Sequence, residues 1–229
     1  MSSKERILAR IREALREPAP RPGHHHAPSH GGAAASHPGD GFAQWLPAVG
    51  PDLEAWLDLF ARNAADLKAE FHLLPDEAAL PAALCQLAVE NGWKQVATHR
   101  TSLTESALSA FPLPILHTDD GYGPEALEAC DAGITGCDAL IAQTGSVFVT
   151  AVSAGGRGLS VLPPHHVVIA RRQQLLPDLP AAYALLRERY GDTLPSFISF
   201  ITGPSRTGDI ERILVLGAHG PKRLTIFCV

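Results

Sequence analysis

The chain has 229 residues, enough for one domain with a sizeable hydrophobic core and a short arm. Hydrophobic residues make up 45% and charged residues 19%, an ordinary globular composition, and a formal net charge of -5 leaves no basic face with which to hold nucleic acid. No apolar run is long enough to span a bilayer and the first residues lack the apolar core of a secretory signal, so the sequence predicts a cytoplasmic protein.

Residues 3–16 carry Ile7, Leu8, Ile11 and Leu15 at helical spacing, with Lys4, Arg6, Arg10, Arg12 and Arg16 opposite. This predicts an amphipathic N-terminal helix that docks on its own domain or on a partner subunit. Residues 17–41 are rich in Pro, Gly, Ala and His, the composition of a flexible linker. Its His24-His25-His26 run has no neighbours to complete a shaped metal site.

Folded structure is expected to resume near Phe42 and to run to the end of the chain. Leu53, Trp56, Leu57 and Phe60 predict a helix opened by Asp52. A strand over 70–74 and a helix over 77–90 follow, the helix ended by Asn91-Gly92. Then come a strand over 95–98, a helix over 103–110 and a short strand over 113–116. Such alternation predicts parallel βαβ units and an α/β layered fold with a mainly parallel sheet.

Residues 131–138 read as a loop. Two strands over 139–142 and 146–150 follow, joined tightly through Gln143-Thr144-Gly145. Gly155-Gly156-Arg157-Gly158 is loop-like, 167–170 a strand, 179–190 a helix, 197–201 a strand and 224–229 a closing strand. The four cysteines, Cys85, Cys130, Cys137 and Cys228, have no pair at the two-residue spacing of zinc or iron–sulfur sites. They read as buried apolar residues or free thiols, and no cofactor is expected to be bound by this chain.

Thr202-Gly-Pro-Ser-Arg-Thr-Gly-Asp-Ile-Glu211 has the residue types of an anion pocket. Gly203 and Gly208 let the backbone bend close to a ligand, Ser205 and Thr207 offer hydroxyls, and Arg206 offers a planar fork of donors. Asp209 and Glu211 can orient that arginine or cap a short helical turn. The plainer alternative is a Gly/Pro turn whose arginine makes a surface ion pair.

Thr135-Gly-Cys-Asp138, Gln143-Thr-Gly-Ser146, Leu162-Pro-Pro-His165, the 202–211 stretch and Leu216-Gly-Ala-His-Gly-Pro221 occur in that order. Together they resemble the lactate utilization protein C family, whose members carry a LUD domain, over roughly residues 42–229. The resemblance implies a fold like the NagB/RpiA/CoA-transferase group. It also implies a part in oxidising L-lactate to pyruvate beside iron–sulfur partner proteins that carry the clusters. One departure is Gln143, which stands where related sequences often place an acidic residue, so the carboxylate nucleophile of CoA transferases is absent there.

The expected ligand-binding residues are Gln143, Thr144, Gly145, Ser146, Arg157, Gly203, Ser205, Arg206, Thr207, Asp209 and Glu211. Thr144, Gly145 and Ser146 lie at a turn whose N–H groups can form an anion nest, and Arg157 sits in a glycine-rich loop that can close over an acid. His165, which matches the family string, and His219, between two glycine-bearing turns, are the expected acid/base residues. Carboxylate and phosphate both suit this set. A self-contained isomerase, ligase or transferase acting on a sugar phosphate or nucleotide, and a regulatory or scaffolding protein, are the alternatives to a lactate-oxidising subunit.

Overall fold

The computed structural model describes residues 3–14, 16, 46–210, 213–217 and 219–229. The expected linker, its histidine run, Phe42 and Glu211 lie outside the described residues. The chain divides into two units, residues 1–43 and 44–229. In the first, helix α1 spans Ser3–Ala14, with Ile7 and Leu8 exposed among its charges.

In the second unit, α2 (Leu53–Asp66) begins where Asp52 accepts a hydrogen bond from the Ala55 amide at 2.9 Å. Strand β1 (Glu70–Leu73) follows, then α3 (Leu80–Asn91), ended by Gly92 in the left-handed conformation at φ 63°. Next come β2 (Val96–Thr98), α4 (Ser102–Ala107), β3 (Ile115–His117), α5 (Pro124–Glu128) and β4 (Ala132–Thr135). An antiparallel pair, β5 (Ala139–Ile141) and β6 (Ser146–Thr150), leads through a long turn to β7 (His165–Ala170). The chain continues through β8 (Leu175–Leu176), α6 (Leu179–Tyr190) and β9 (Ile198–Ile201). It closes with the hairpin β10 (Arg206–Ile210) and β11 (Ile213–Leu216), then β12 (Arg223–Cys228).

Six strands form a parallel sheet in the order β1-β12-β7-β4-β2-β3, and β8-β5-β6-β9 form a second, mixed sheet. The expected α/β layered fold with a mainly parallel sheet is what the chain adopts. Helices α3 and α4 cover one face of the six-stranded sheet, burying Leu80, Leu84 and Leu103 against Ile134, Val167 and Ile169. The second sheet and α2 cover the other face, where Leu140, Val147 and Phe60 meet Val168, Leu224 and Ile226. Helix α6 lies on the outer face of the second sheet through Ala182 and Leu186. Strand β7 is therefore buried along its whole length on both faces.

Two segments differ from expectation. Residues 131–138 were expected as a loop, yet β4 lies within them and is an interior strand of the main sheet. Its composition hides this, because Gly133 sits mid-strand where a side chain would normally advertise the pattern. A Cβ built on Gly133 would lie 2.1 Å from the Leu159 carbonyl oxygen, so the glycine admits the 159 backbone onto the sheet. The 202–211 stretch, read as an anion pocket or a Gly/Pro turn, enters β10 at Arg206, so Thr207 and Asp209 lie on a hairpin strand.

Gly133→Ala is expected to lower unfolding free energy by about 1–3 kcal/mol through overpacking. Urea titration checks this as a lower midpoint at unchanged slope; a midpoint equal to the parent's would show that the Leu159 backbone yields freely.

Candidate functional site

Successive residues of a strand face opposite sides of the sheet, and on β7 this separates the two adjacent histidines. His165 faces the α3 layer, its ring edge-on to Trp93 at 5.2 Å. Its Nε2 lies 2.8 Å from the Thr225 hydroxyl oxygen. The Thr225 hydroxyl donates to Glu70 Oε2 at 3.1 Å, and Glu70 Oε1 accepts from the Arg223 guanidinium at 2.6 Å. Since Thr225 has one proton and gives it to a carboxylate, it accepts from His165, which fixes that ring with hydrogen on Nε2. Burial, with Arg223 adding to it and Glu70 opposing, pushes the His165 pKa down to about 4.

His166 faces the inter-sheet side. Its Nε2 lies 2.9 Å from the Thr135 hydroxyl, and Thr135 stands at the end of β4. Burial, with His165 adding to it, pushes the His166 pKa down to about 3. Its Nδ1 is buried with no partner, as is that of His165.

His166 lines a cavity of about 170 Å3 together with Ser160, Thr202, Gly203, Ser205 and His219. Leu224 and Ile201 supply apolar wall. The rim is held by backbone bonds: the Ser205 amide donates to the Pro221 carbonyl at 2.9 Å, and the Gly217 amide donates to the Ser205 carbonyl at 3.0 Å. Ser146 and Thr202 share a hydroxyl–hydroxyl bond of 2.8 Å, which ties β6 to the same rim. Arg206 is exposed, and its Nη2 would lie 3.2 Å from a Cβ built on Gly203, which places the guanidinium beside the rim.

The expected site residues thus divide. Gly203, Ser205 and His219 line the cavity, with Arg206 beside it and Ser146 behind Thr202. Gln143, Thr144 and Gly145 pack toward α2 instead: Asn63 donates to the carbonyls of Ala142 and Gln143 at 2.8 and 3.0 Å, and Gln143 donates to the Pro47 carbonyl at 3.1 Å. Gly145, at φ 63°, lies so close to α2 that a Cβ would meet Asn63 at 2.8 Å. Arg157 is exposed and sits 5.9 Å over the Phe197 ring. His165 does not line this cavity, whereas its neighbour His166 does. Sequence reasoning missed His166, Thr135 and Ser160; the available signal was the alternation along β7, without the knowledge of which face held the cavity.

Two other buried polar groups stand apart from the cavity. Asp138 accepts from Arg189 at 3.0 Å and from the Tyr190 hydroxyl at 2.8 Å, bracing α6 on the second sheet. Its Oδ2 has no partner. Just after β2, His99 is buried, and burial lowers its pKa against the opposing pull of Asp119 and of the Ser153 backbone. Among the described residues no group of three or more His, Cys, Asp or Glu is placed to hold a metal ion, and no helix is long and apolar enough to cross a membrane.

The buried histidines give a signed pH dependence. Unfolded, each takes up a proton near pH 6.5; folded, each stays neutral down to about 4 and 3. The unfolded chain therefore binds more protons below 6.5, and stability is lost as pH falls from about 6.5 toward 4. Each histidine contributes a slope of at most about 1.4 kcal/mol per pH unit. Melting temperature measured between pH 7 and pH 4 should fall progressively, and less steeply in His166→Gln; an unchanged slope in that variant would show that His166 is not neutral in the folded chain.

Comparison with known proteins places this architecture. The family model described as LUD domain matches residues 57–229. Lactate utilization protein C of Halalkalibacterium halodurans is 38% identical over 109 residues, 47% of this chain and 47% of that protein. The protein of the same name from Geobacillus sp. is 38% identical over 104 residues, 44% of this chain and 43% of that protein. The chain thus matches about half the length of these curated relatives. Among solved structures, a DUF162 family protein from Deinococcus radiodurans superposes with a TM-score of 0.63 at 20% identity, covering 79% of this chain and 99% of that one, and so shares the fold. By the match across residues 57–229, the chain belongs to the LUD domain family.

Proposed function

We propose that this chain is a component of an L-lactate-oxidising utilization system, to which it contributes a pocket for a small carboxylate. The observation that carries the reading is the pairing of similarity to proteins named lactate utilization protein C with a cavity scaled to a small acid. At about 170 Å3 the cavity is smaller than the roughly 300–1,000 Å3 of pockets for drug-sized ligands, and so suits a three-carbon acid better than a sugar phosphate or nucleotide. Hydroxyls of Thr202 and Ser205, the imidazoles of His166 and His219, and the nearby Arg206 supply donors for a carboxylate.

Oxidation of L-lactate to pyruvate releases two electrons and two protons. In this reading the electrons pass to iron–sulfur clusters carried by partner proteins, and this chain binds and orients the acid. In the same reading His219, which lines the cavity, exchanges a proton with the bound acid.

Calorimetric titration of the full chain with L-lactate and with phosphate tests the pocket. L-lactate should bind, and Arg206→Ala should weaken it by about tenfold, the worth of one charge-assisted hydrogen bond. Unchanged affinity in that variant would remove Arg206 from the site. Affinity purification from cells grown on lactate, read by mass spectrometry, tests the assembly: co-purifying iron–sulfur proteins are expected, and recovery of the chain alone under mild salt would defeat the subunit reading.

A further inference from the structure

We propose that the crevice beyond the carboxyl ends of β2, β4 and β7 is a second ligand site, which takes a small carboxylate monoanion on the guanidinium of Arg171. It stands apart from the cavity at His166 and does not depend on the reading given to that cavity.

Strands β2 and β4 pair directly and in parallel. After β2 the chain turns at Thr101 into α4, which lies with α3 on one face of the sheet through Leu103 and Ala107. After β4 it turns at Gly136-Cys137 into β5, a strand of the sheet that covers the opposite face. Neighbouring strands whose chains leave to opposite faces part at their carboxyl ends, and ligands of open parallel sheets bind in the gap so made. Here the gap is a crevice of about 160 Å3, lined by Thr101 and Ser102 after β2, Gly136 and Cys137 after β4, and Arg171 after β7. Arg171 is five residues of extended chain beyond His166, about 16 Å, so one small ligand does not reach both sites.

The walls are tied together before any ligand arrives. Gln174 joins the chain after β7 to the chain after β4: its Oε1 accepts from the Arg171 amide at 2.7 Å, and its Nε2 donates to the Cys137 carbonyl at 2.6 Å. On the β2 side, Thr101 accepts from the Thr104 amide at 3.1 Å. Walls fixed in this way leave little ordering to be done on binding.

The charge in the lining is Arg171. Its Nε donates to Glu77 at 2.6 Å, a half-exposed pair that orients the guanidinium, and its Nη nitrogens have no partner among the described residues. That leaves a pair of donors in the fork geometry that matches a carboxylate. No acidic residue lines the crevice, and burial pushes the Cys137 pKa up, so its sulfur stays a neutral thiol. Charge balance then selects the ligand. Arg171 already answers the Glu77 carboxylate, so a monoanion adds one uncompensated charge where a phosphate dianion adds two. Leu103 and Ile169 supply apolar wall for a short carbon chain, and Ser102, whose hydroxyl makes no bond among the described residues, is a further donor.

Backbone amide NMR of the full chain tests this, with acetate and inorganic phosphate titrated separately at mildly alkaline pH and constant ionic strength. Acetate should shift the amides of Ser102, Gly136 and Arg171 saturably, and phosphate, mainly a dianion there, should need a higher concentration. Arg171→Lys keeps the charge but loses the fork, and should weaken acetate at these amides by about tenfold. Ser102→Ala, at an exposed position, should weaken it by about threefold, and keeps the test decisive if the lysine variant does not fold. Acetate shifts confined to the amides of Ser205 and Gly220, or no saturable shift at all, would overturn the second site. Phosphate binding as tightly as acetate, or acetate affinity unchanged in Arg171→Lys, would overturn the assignment of a carboxylate monoanion to Arg171.

Discussion

The structure depends on the burial of β7 between β4 and β12 and between two covering layers. Four consecutive residues, Val167 to Ala170, are wholly inaccessible to solvent, and their side chains alternate between the helical layer and the second sheet. A strand so placed needs apolar residues on both faces, which is why 167–170 reads as a continuous run rather than an alternation. The two histidines at its start enjoy no such freedom. Each must find a hydrogen-bond partner within the sheet, and each finds a threonine on the strand beside it. The polar site is thus set by the same close packing that builds the core.

The electrostatic consequence is a site whose inner wall is neutral. Burial keeps both imidazoles uncharged at physiological pH, and the charges nearest to them are spent on each other, Glu70 with Arg223 on the α3 side. Among the described residues, the charge beside this cavity is Arg206, exposed at the rim. The cavity thus sets a charged mouth against a buried, uncharged imidazole at His166.

Much of this was legible in the sequence where local chemistry decides. Asp52 capping α2, Gly92 ending α3, the extent of α6 and the tight β5–β6 connection all rest on short-range signals. Strand β4 was not legible, because its Gly133 is explained only by the Leu159 carbonyl twenty-six residues on. Nor was β10, since Arg206-Thr207-Gly208-Asp209 carries turn residues and strand pairing is supplied by β11. The choice between His165 and His166 illustrates a further limit. Alternation shows that the two face apart, but on a strand buried on both sides neither direction is the outside. The family string drew attention to His165, whereas the cavity is beside His166. The Gln143–Gly145 turn suggested an anion nest of N–H groups; on its carbonyl side Asn63 holds it to α2, a long-range contact that the local sequence does not show.

The strand order also constrains how the fold is reached in time. Strand β1 pairs with β12, so Glu70 meets Thr225 at a sequence separation of 155, while β12 fits between β1 and β7. Until β12 arrives, β1 has no strand to pair with and one edge of β7 stays open. Closing so long a loop is slow relative to local helix formation, and an open apolar parallel edge invites pairing with another chain. During synthesis the partly made sheet therefore waits on its second-to-edge strand, and the interval before that strand inserts is when the molecule is most exposed to aggregation.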